Sequence, residues 1–366
     1  MRRLILETDI GAILNNARAV RERIPENVRM ACVVKADAYG HGAIWVAQAL
    51  AEEKLADAFA VATPSEGAAL RNNGITLPIV VLGLPGDKEG AETSVNHNLS
   101  QAVASAEDVR LLAEAARICD CKAKAHIKID TGMSRIGIRY AQELDGVLDA
   151  FTECPNVVPE GMFTHFCAAD TDEEFTLLQK KRFDEARSRV FARGFRPICH
   201  AAASTAMLRE GFGYDMVRAG IALYGTGVKE LEGIVAPAQR LISHPVAFRT
   251  IEKGDSVGYG RKFIAERRTV VMTVPCGYGD GYPRLLSGKA QILVNGRRAN
   301  IIGNVCMDML MADVTDIPNV TVDTPVVLMG RDGEECITPD ELARLASTIP
   351  YEIMLGFMNR VERIRV

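Results

Sequence analysis

The sequence has no uninterrupted apolar run near the roughly 20 residues that a membrane-spanning helix needs, so no membrane span is expected. It also lacks an excess of charge of either sign, because 43 basic residues face 47 acidic ones and the formal net charge is −4. Such a balance gives no overall attraction to nucleic acid or to an anionic membrane. Neither partner is therefore predicted.

Signals for export and for metal binding are missing as well. The first ten residues carry two arginines but already include Glu7 and Asp9, which leaves no apolar core for a secretory signal. The nine cysteines are odd in number and scattered over both halves, so we expect free thiols in a cytoplasmic protein. Cys119 and Cys121 are closely spaced, but no second pair completes a zinc site, and no metal is predicted.

What the sequence does contain is enough length for two domains, with 366 residues of which 48% are hydrophobic. Segments with helical spacing, such as 106–118 and 174–193, alternate with short β-branched or apolar runs. These runs lie near 30–35, 58–63, 78–83, 99–104, 124–130, 159–165, 195–201 and 214–218. The alternation predicts an α/β fold whose N-terminal part, residues 1–233, is a TIM-like (β/α)8 barrel. A doubly wound open sheet would give the same alternation, although its G-x-G-x-x-G fingerprint is absent.

The pattern changes after Gly225. From about residue 235, strand-like runs are separated by turns rich in Gly, Pro and Asp. Asn295 and Gly296 lie between two apolar runs, as is typical of a two-residue β-hairpin. We therefore predict a mainly antiparallel β domain over residues 234–366, with a helix near 339–348 and a last strand near 360–366.

Lys35 follows the first apolar run of the predicted barrel. Side chains at the carboxyl ends of barrel strands face the active site, so its amine is expected there. Four apolar or small residues precede it, which indicates partial burial. Burial lowers the pKa of an amine and makes it nucleophilic toward a carbonyl, as a Schiff base requires. A surface lysine in a loop is the alternative interpretation, and it is the more common one for a single lysine.

The other strand ends add cations and hydrogen-bonding groups, namely Lys128, Asp130, Arg135, His165, His200, Ser204 and Arg218. Ser204 follows the seventh strand, whereas Gly220 and Ile221 follow the eighth, and barrels often bind phosphate at these two loops. A reactive lysine together with a phosphate cradle indicates pyridoxal phosphate. Arg218 is then a candidate partner of the ring nitrogen of that cofactor.

Six segments, in this order along the chain, resemble motifs of the alanine racemase family. They are VVKADAYGHG (33–42), KIDTGMSRIG (128–137), VRAGIALYG (217–225), VGYGRKF (257–263), GYGDGYPR (277–284) and VCMDM (305–309). The resemblance runs from about residue 5 to residue 365. It implies the barrel and β-domain fold, pyridoxal phosphate as cofactor, and interconversion of L- and D-alanine that supplies D-alanine for peptidoglycan.

The resemblance also implies roles for individual residues. Lys35 would bind the cofactor and serve as the base on one face of the substrate, and Tyr259 as the base on the other. Two bases are needed because a proton returned to the face from which it came restores the starting enantiomer. His165 and Arg218 would support Tyr259, and Arg218 would keep the ring nitrogen unprotonated, which disfavours side reactions.

Further contacts follow from the same motifs. The resemblance assigns the phosphate to Tyr39, Ser204, Gly220, Ile221 and Tyr351. It assigns the substrate carboxylate to Arg135 and to the backbone of Met307, whereas Tyr278 would narrow the access channel. Lys128 lies where many members carry a carbamylated lysine that braces the arginine, and an ordinary salt-bridged lysine is the alternative.

Two positions depart from the family pattern. Ser134 replaces a glycine, and Ala203 replaces an asparagine that many members carry next to the serine of the phosphate loop. In the family, Tyr259 and the β domain serve the barrel of the other subunit, which implies a homodimer with shared active sites. The alternatives are a racemase of another small amino acid such as serine, a decarboxylase of the same fold type, a non-catalytic cofactor carrier and a Schiff-base aldolase without cofactor.

Overall fold

The computed structural model describes residues 3–366, which form two compact units. The barrel unit comprises Leu14–Ala38 and Gly42–Leu223, and the β unit comprises the described residues up to Ile13, Tyr39–His41 and Tyr224–Val366. The sequence-based prediction placed the domain boundary between residues 233 and 234. It did not assign the segment that ends at Ile13, or Tyr39–His41, to the β unit. Their partners within that unit lie far along the chain, so no local pattern indicates the association.

The first described strand is β1 (Leu4–Thr8), and helix α1 (Ile10–Arg21) follows it. The alternation of the barrel comes next: β2 (Arg29–Val33), α2 (Lys35–Gly40), α3 (Ala43–Glu52), β3 (Ala58–Val61), α4 (Pro64–Asn72), β4 (Ile79–Val81), α5 (Lys88–Asn96), β5 (Ser100–Val103), α6 (Ala106–Ile118), β6 (Ala123–Lys128), α7 (Ala141–Glu153), β7 (Val157–Phe163), α8 (Glu173–Ala192), β8 (Ile198–His200) and β9 (Met216–Ala219). Strands β2 to β9 correspond to the eight runs expected from the sequence.

The eight strands form one parallel sheet in the order β8-β7-β6-β5-β4-β3-β2-β9. Backbone hydrogen bonds join its two edges, because Asp215 N–H donates to Cys199 and Arg218 N–H donates to Ala202, each at 3.0 Å. The sheet is therefore a nearly closed (β/α)8 barrel, as predicted, and not an open doubly wound sheet.

Local sequence explains where the barrel helices begin. Helix α6 starts with a reciprocal cap, in which the Ser105 side chain accepts from Asp108 N–H and the Asp108 carboxylate accepts from Ser105 N–H. Its buried face includes Val109, Leu112 and Ala116, the stripe expected from helical spacing.

Within the described residues, the longest helices are too short or too polar to cross a membrane.

The β unit contains β1 and eleven later strands: β10 (Gln239–Ser243), β11 (Ala247–Ile251), β12 (Ser256–Val257), β13 (Phe263–Ile264), β14 (Thr269–Val274), β15 (Gln291–Val294), β16 (Arg297–Ile302), β17 (Leu310–Asp313), β18 (Val326–Asp332), β19 (Glu335–Ile337) and β20 (Glu362–Arg365). Helices α9 (Pro339–Ala346) and α10 (Pro350–Leu355) precede β20. The main sheet has the order β11-β14-β17-β16-β15-β18-β10-β1-β20. Its pairs are antiparallel except that of β1 with β20, as expected for a mainly antiparallel domain.

The predicted hairpin is present between β15 and β16. Asn295 has φ 52° and Gly296 has φ 69°, the left-handed pair that a type I′ turn requires. The helix near 339–348 and the last strand are also present, whereas α10 and β1 were not expected. Leu4, Leu6 and Thr8 of β1 are buried, yet its sequence, Leu-Ile-Leu-Glu-Thr, does not alternate between apolar and polar residues, so alternation does not identify the strand.

Candidate active site

The backbone after Lys35 has an unusual conformation. Strand β2 ends at Val33, and Lys35 opens α2, in which φ is 50° at Ala36, 53° at Asp37, 54° at Ala38 and 55° at Tyr39. A left-handed turn of non-glycine residues costs roughly 1–2 kcal/mol per residue, so the surrounding structure must hold it. Asp37 contributes by accepting from Ala43 N–H at 2.8 Å. The turn fixes Lys35 at the carboxyl end of β2.

Glu66, at the start of α4, is the second support of this turn. Its two carboxylate oxygens accept from Ala36 N–H at 2.8 Å and from Ala62 N–H at 2.7 Å. Glu66 was not among the residues expected at the site. The signal available, Thr63-Pro64 followed by an acidic residue, indicates a helix cap and does not reveal this second contact.

The Lys35 side chain lies in a cationic environment. Burial lowers the pKa of its amine, and the charges of Arg135 and Arg218 lower it further, whereas Glu66 opposes them. A lower pKa gives more of the neutral, nucleophilic amine at neutral pH. The electrostatic couplings also place the side chains of Lys35, Arg135 and Arg218 in one region of the barrel unit.

Arg218, on β9, is almost fully buried, with 3% of its surface exposed. Its Nη2 donates to the carbonyls of Thr164 and Ala201, each at 2.8 Å, and Nη1 donates to His200 Nδ1 at 2.8 Å. Burial lowers the pKa of the guanidinium to about 10, so it remains charged at neutral pH. Arg218 is thus a fixed, desolvated cation at a strand end.

His165 lies beside this cation. Its Nδ1 is 3.3 Å from Arg218 Nη2 and accepts from it, because a guanidinium can only donate. Burial lowers the pKa of His165 to about 3, with the charges of Arg218, Lys128, Arg135 and Lys35 acting in the same direction. His165 is therefore neutral near pH 7, with its remaining proton on Nε2.

Lys128 ends β6 and is buried, with 3% of its surface exposed. Its Nζ donates to the carbonyl of Ile129 at 3.0 Å and lies 5.1 Å from the centre of the Phe163 ring. Burial and the charge of Arg218 lower its pKa to about 7, although Asp130 opposes them. At pH 7, about half of the Lys128 side chains therefore carry a neutral amine.

Arg135 is exposed in the loop that follows β6. Asp130 shapes this loop by accepting from Gly132 N–H and Ser134 N–H, each at 3.0 Å. Ser134 has φ 55°, which explains the usual glycine at this position, since glycine adopts that conformation without a steric cost. The serine hydroxyl accepts from Arg139 at 3.0 Å, a bond that glycine would lack.

Ser204 organises the loop after β9. Its buried Oγ accepts from Gly220 N–H at 2.9 Å and from Ala222 N–H at 3.4 Å, at the start of the short 3-10 helix Ile221–Tyr224. Because Oγ acts as the acceptor in both bonds, its own proton remains available for an anion. Ala203, next to it, forms a bridge with Arg218 through the backbone, which needs no side-chain amide.

The remaining candidate residues belong to the β unit. Tyr259 is 76% exposed in the 3-10 turn Tyr259–Arg261, where Asn304 donates to its carbonyl at 2.7 Å. Tyr259, Tyr278 and Met307 line one concavity of about 890 Å³. Tyr39 and Tyr351 form a second group, with ring centres 5.6 Å apart.

A buried carboxylate holds the loop that carries Tyr278. Asp280 is fully buried and accepts from Arg3 Nη1 at 2.6 Å, Arg360 Nε at 2.7 Å and Gly277 N–H at 2.8 Å. Within the barrel unit the structure brings together Lys35, Arg135, His165, Arg218 and Lys128, and within the β unit it brings together Tyr259, Tyr278 and Met307. The roles of these residues stay predictions.

Comparison with known proteins identifies the chain. Residues 8–227 match the family model for the alanine racemase N-terminal domain, and residues 238–365 match that for the C-terminal domain. The chain is 41% identical to the alanine racemase of Citrifermentans bemidjiense, with 97% of this chain and 96% of that protein covered. It is 40% identical to the alanine racemase of Geobacter sulfurreducens, with 98% and 96% covered.

Solved structures agree with the sequence relatives. The alanine racemase of Bacillus anthracis with bound L-Ala-P has a TM-score of 0.90 at 36% identity, covering 100% of this chain and 95% of that one. The alanine racemase of Clostridium difficile 630 has a TM-score of 0.92 at 32% identity, with 100% and 96% covered. On these grounds the chain belongs to the alanine racemase family.

Proposed function

We propose that the protein is an alanine racemase that uses pyridoxal phosphate, with Lys35 and Tyr259 as its two bases. The observation that carries the proposal is the conjunction of Lys35, whose pKa burial lowers, with the buried Arg218 cation in a member of this family. The product, D-alanine, would supply peptidoglycan synthesis, and the enzyme would work in the cytoplasm.

The residues present fit the cofactor. Ser204, whose Oγ is held by the Gly220 N–H, offers its hydroxyl proton beside the amide of Ile221 at the start of a short helix, a donor set suited to a phosphate. Three cations, Lys35, Arg135 and Arg218, lie together and Glu66 is the carboxylate that opposes them at Lys35, so an anionic ligand would offset their mutual repulsion. We assign further phosphate contacts to Tyr39 and Tyr351.

Pyridoxal phosphate, when bound, supplies an electron-withdrawing ring that acidifies the α-proton of the amino acid. Lys35 would hold the cofactor covalently and move a proton at one face of the α-carbon, which its lowered pKa favours. Tyr259 would move a proton at the opposite face. A phenol has a reference pKa of about 10, so Tyr259 needs stabilisation of its phenolate, to which we assign His165 and Arg218.

Arg218 would decide the reaction type. With a pKa of about 10 it is a donor near neutral pH and would leave the ring nitrogen of a bound cofactor unprotonated. Excess negative charge at the α-carbon would then be short-lived, because Lys35 or Tyr259 would return a proton to it. Such an arginine suits a racemase better than a decarboxylase, in which an acidic partner would hold the ring nitrogen protonated.

We assign substrate recognition to residues of both units. Arg135 and the backbone of Met307 would bind the carboxylate, and Tyr278 would narrow the access channel. Lys128 would brace Arg135, and its partly neutral amine is the form that reacts with carbon dioxide to give a carbamate. We propose alanine as the substrate, with serine as the nearest competing substrate.

The proposal includes a homodimer whose subunits complete each other's active sites. Tyr259, the second proposed base, is 76% exposed in the single chain. Met307 and Met309, which line the same concavity as Tyr259, are exposed apolar side chains as well. Such a surface, if left uncovered, would favour association.

The test starts from the absorbance spectrum of the purified protein, followed by a chiral assay of D- and L-alanine and of D- and L-serine. We expect a visible band from lysine-bound cofactor, conversion of both alanine enantiomers and slower conversion of serine. A protein that gains no such band after incubation with pyridoxal phosphate, and converts no amino acid, contradicts the proposal.

A further inference from the structure

A line of side chains runs through the barrel unit away from Arg218. Arg218 Nη1 lies 2.8 Å from His200 Nδ1, and His200 Nε2 lies 2.9 Å from His126 Nδ1. The far nitrogen of His126, Nε2, is 3.5 Å from an oxygen of Glu160. Both rings are buried, with 0% of His200 and 2% of His126 exposed.

Arg218 determines which nitrogen of each histidine ring along this line carries the proton. A guanidinium can only donate, so His200 Nδ1 carries a lone pair and its proton is on Nε2. That proton points to His126 Nδ1, which must then accept, and the proton of His126 lies on Nε2, toward Glu160. The carboxylate at the far end is an acceptor, as this order requires. A proton on either Nδ1 would set two donors against each other in a buried site.

The barrel departs from regular geometry at the far end. In the pairing of β6 with β7, Ala125 lies opposite Pro159 and His126 lies opposite Gly161, so that Glu160 is an additional, unpaired residue. Bulges of this kind redirect a side chain. Gly161 is also required, because a Cβ there would lie 2.3 Å from the His126 ring. Both features serve the contact of Glu160 with His126.

Glu160 is anchored by further partners. The Ser100 hydroxyl donates to it, and Lys124 Nζ lies 3.6 Å from its other oxygen. Burial alone would raise the pKa of Glu160, but hydrogen bonds from His126 and Ser100 and the nearby charges bring it to about 2. The acceptor at the end of the line is therefore an ionised carboxylate.

We propose that His126 and Glu160 are positioning residues for Arg218. They hold His200 in the tautomer whose Nδ1 lone pair receives the guanidinium, so that Arg218 keeps one orientation and its full set of donors. The effect on catalysis rests on the proposed role of Arg218 at the cofactor. The tautomer of His200 does not depend on that role.

The experiment compares His126→Leu with His126→Asn, two side chains of similar shape of which only asparagine can accept from His200. The holoenzyme is labelled with 15N-histidine, and the ring shifts of His200 are assigned through a His200→Gln variant. We expect His200 to be protonated on Nε2 alone in the parent and in His126→Asn, and to populate both tautomers in His126→Leu. In steady-state assays His126→Leu should lose about 10- to 100-fold in kcat with little change in KM, whereas His126→Asn stays near the parent.

The tautomer separates this proposal from the proposed function. A parent protein in which His200 is protonated on Nδ1 overturns it, even if every variant misfolds. So does His126→Leu with an unchanged tautomer and unchanged kcat. A parent without racemase activity, but with His200 protonated on Nε2 alone, would contradict the proposed function and leave the positioning of Arg218 supported. If His126→Leu does not fold, Glu160→Leu beside Glu160→Gln gives the same comparison one step further along the line.

Discussion

Glu66 accepts a 2.8 Å hydrogen bond from the backbone N–H of Ala36, the residue that follows the candidate catalytic lysine. The bond connects the first turn of α4 with the left-handed turn after Lys35, whose backbone conformation would be unfavourable on its own. The position of Lys35 thus depends on a carboxylate that has no part in the proposed chemistry.

Replacing Glu66 should lower stability in proportion to the acceptors removed. Glu66→Leu leaves both N–H groups without an acceptor, whereas Glu66→Gln keeps one acceptor oxygen and turns its amide NH2 toward the other N–H, so the loss should be larger for leucine. We expect about 1–3 kcal/mol in the free energy of unfolding for Glu66→Leu, measured by urea denaturation. Glu107→Leu, at the exposed first turn of α6, is the control. Equal stability of the two Glu66 variants would contradict this role.

Lys35→Ala should abolish the absorbance of lysine-bound pyridoxal phosphate together with racemase activity. No other lysine lies at the carboxyl end of β2, so the attachment has no substitute. Spectra of the variant and of the exposed-lysine control Lys122→Ala, recorded after equal incubation with cofactor, provide the check. A visible band that persists in Lys35→Ala would refute the assignment.

Tyr259→Phe should leave the cofactor bound and impair the two directions of racemisation unequally. Each direction begins with proton removal by a different base, and only one base is lost. The measurement is exchange of the α-proton from D- and from L-alanine in deuterated solvent. Tyr140→Phe, another exposed tyrosine, is the control, and equal, near-parent exchange from both enantiomers in Tyr259→Phe would rule out a two-base role.

Arg218→Glu should bind pyridoxal phosphate yet lose reaction specificity. A carboxylate facing the ring nitrogen would raise the pKa of that nitrogen and hold it protonated. Racemisation should then slow, and transamination should become detectable as pyruvate together with pyridoxamine phosphate. Cofactor occupancy is measured first, since charge reversal at a buried site also destabilises it. Normal occupancy without either product would mean that Arg218 is not the partner of the ring nitrogen.

Lys128 should make stability depend on pH. Its pKa is about 7 in the fold and about 10.4 in an unfolded chain, so between these values the unfolded state binds the extra proton. Stability therefore rises with pH across this window, by up to roughly 1.4 kcal/mol per pH unit from this group. Lys128→Met should remove that rise in buffers free of carbon dioxide, with Lys122→Met as control. Parallel stability curves for the parent and Lys128→Met would contradict the low pKa.

Much of the site could be predicted because strand ends of a barrel converge. Lys35 and Arg218 follow apolar runs that the sequence displays directly, so their neighbourhood follows from the fold class. Glu160 could not be found in this way, since its orientation depends on a bulge between β6 and β7. The left-handed turn after Lys35 was equally hidden, because the alanines and the tyrosine in it do not favour positive φ.

Strand β1 makes the order of synthesis matter. It pairs with β10 on one side and β20 on the other, and Ser243 donates to the carbonyl of Arg3, 240 positions away in the chain. On the ribosome, β1 must wait for both partners, with the apolar side chains of Leu4 and Leu6 exposed in the meantime. The barrel strands β2 to β9 can pair with one another as they emerge. The main sheet of the β unit is complete only when β20 has left the exit tunnel. A ribosome stalled before that point would hold a nascent chain whose earliest strand still lacks one of its two partners.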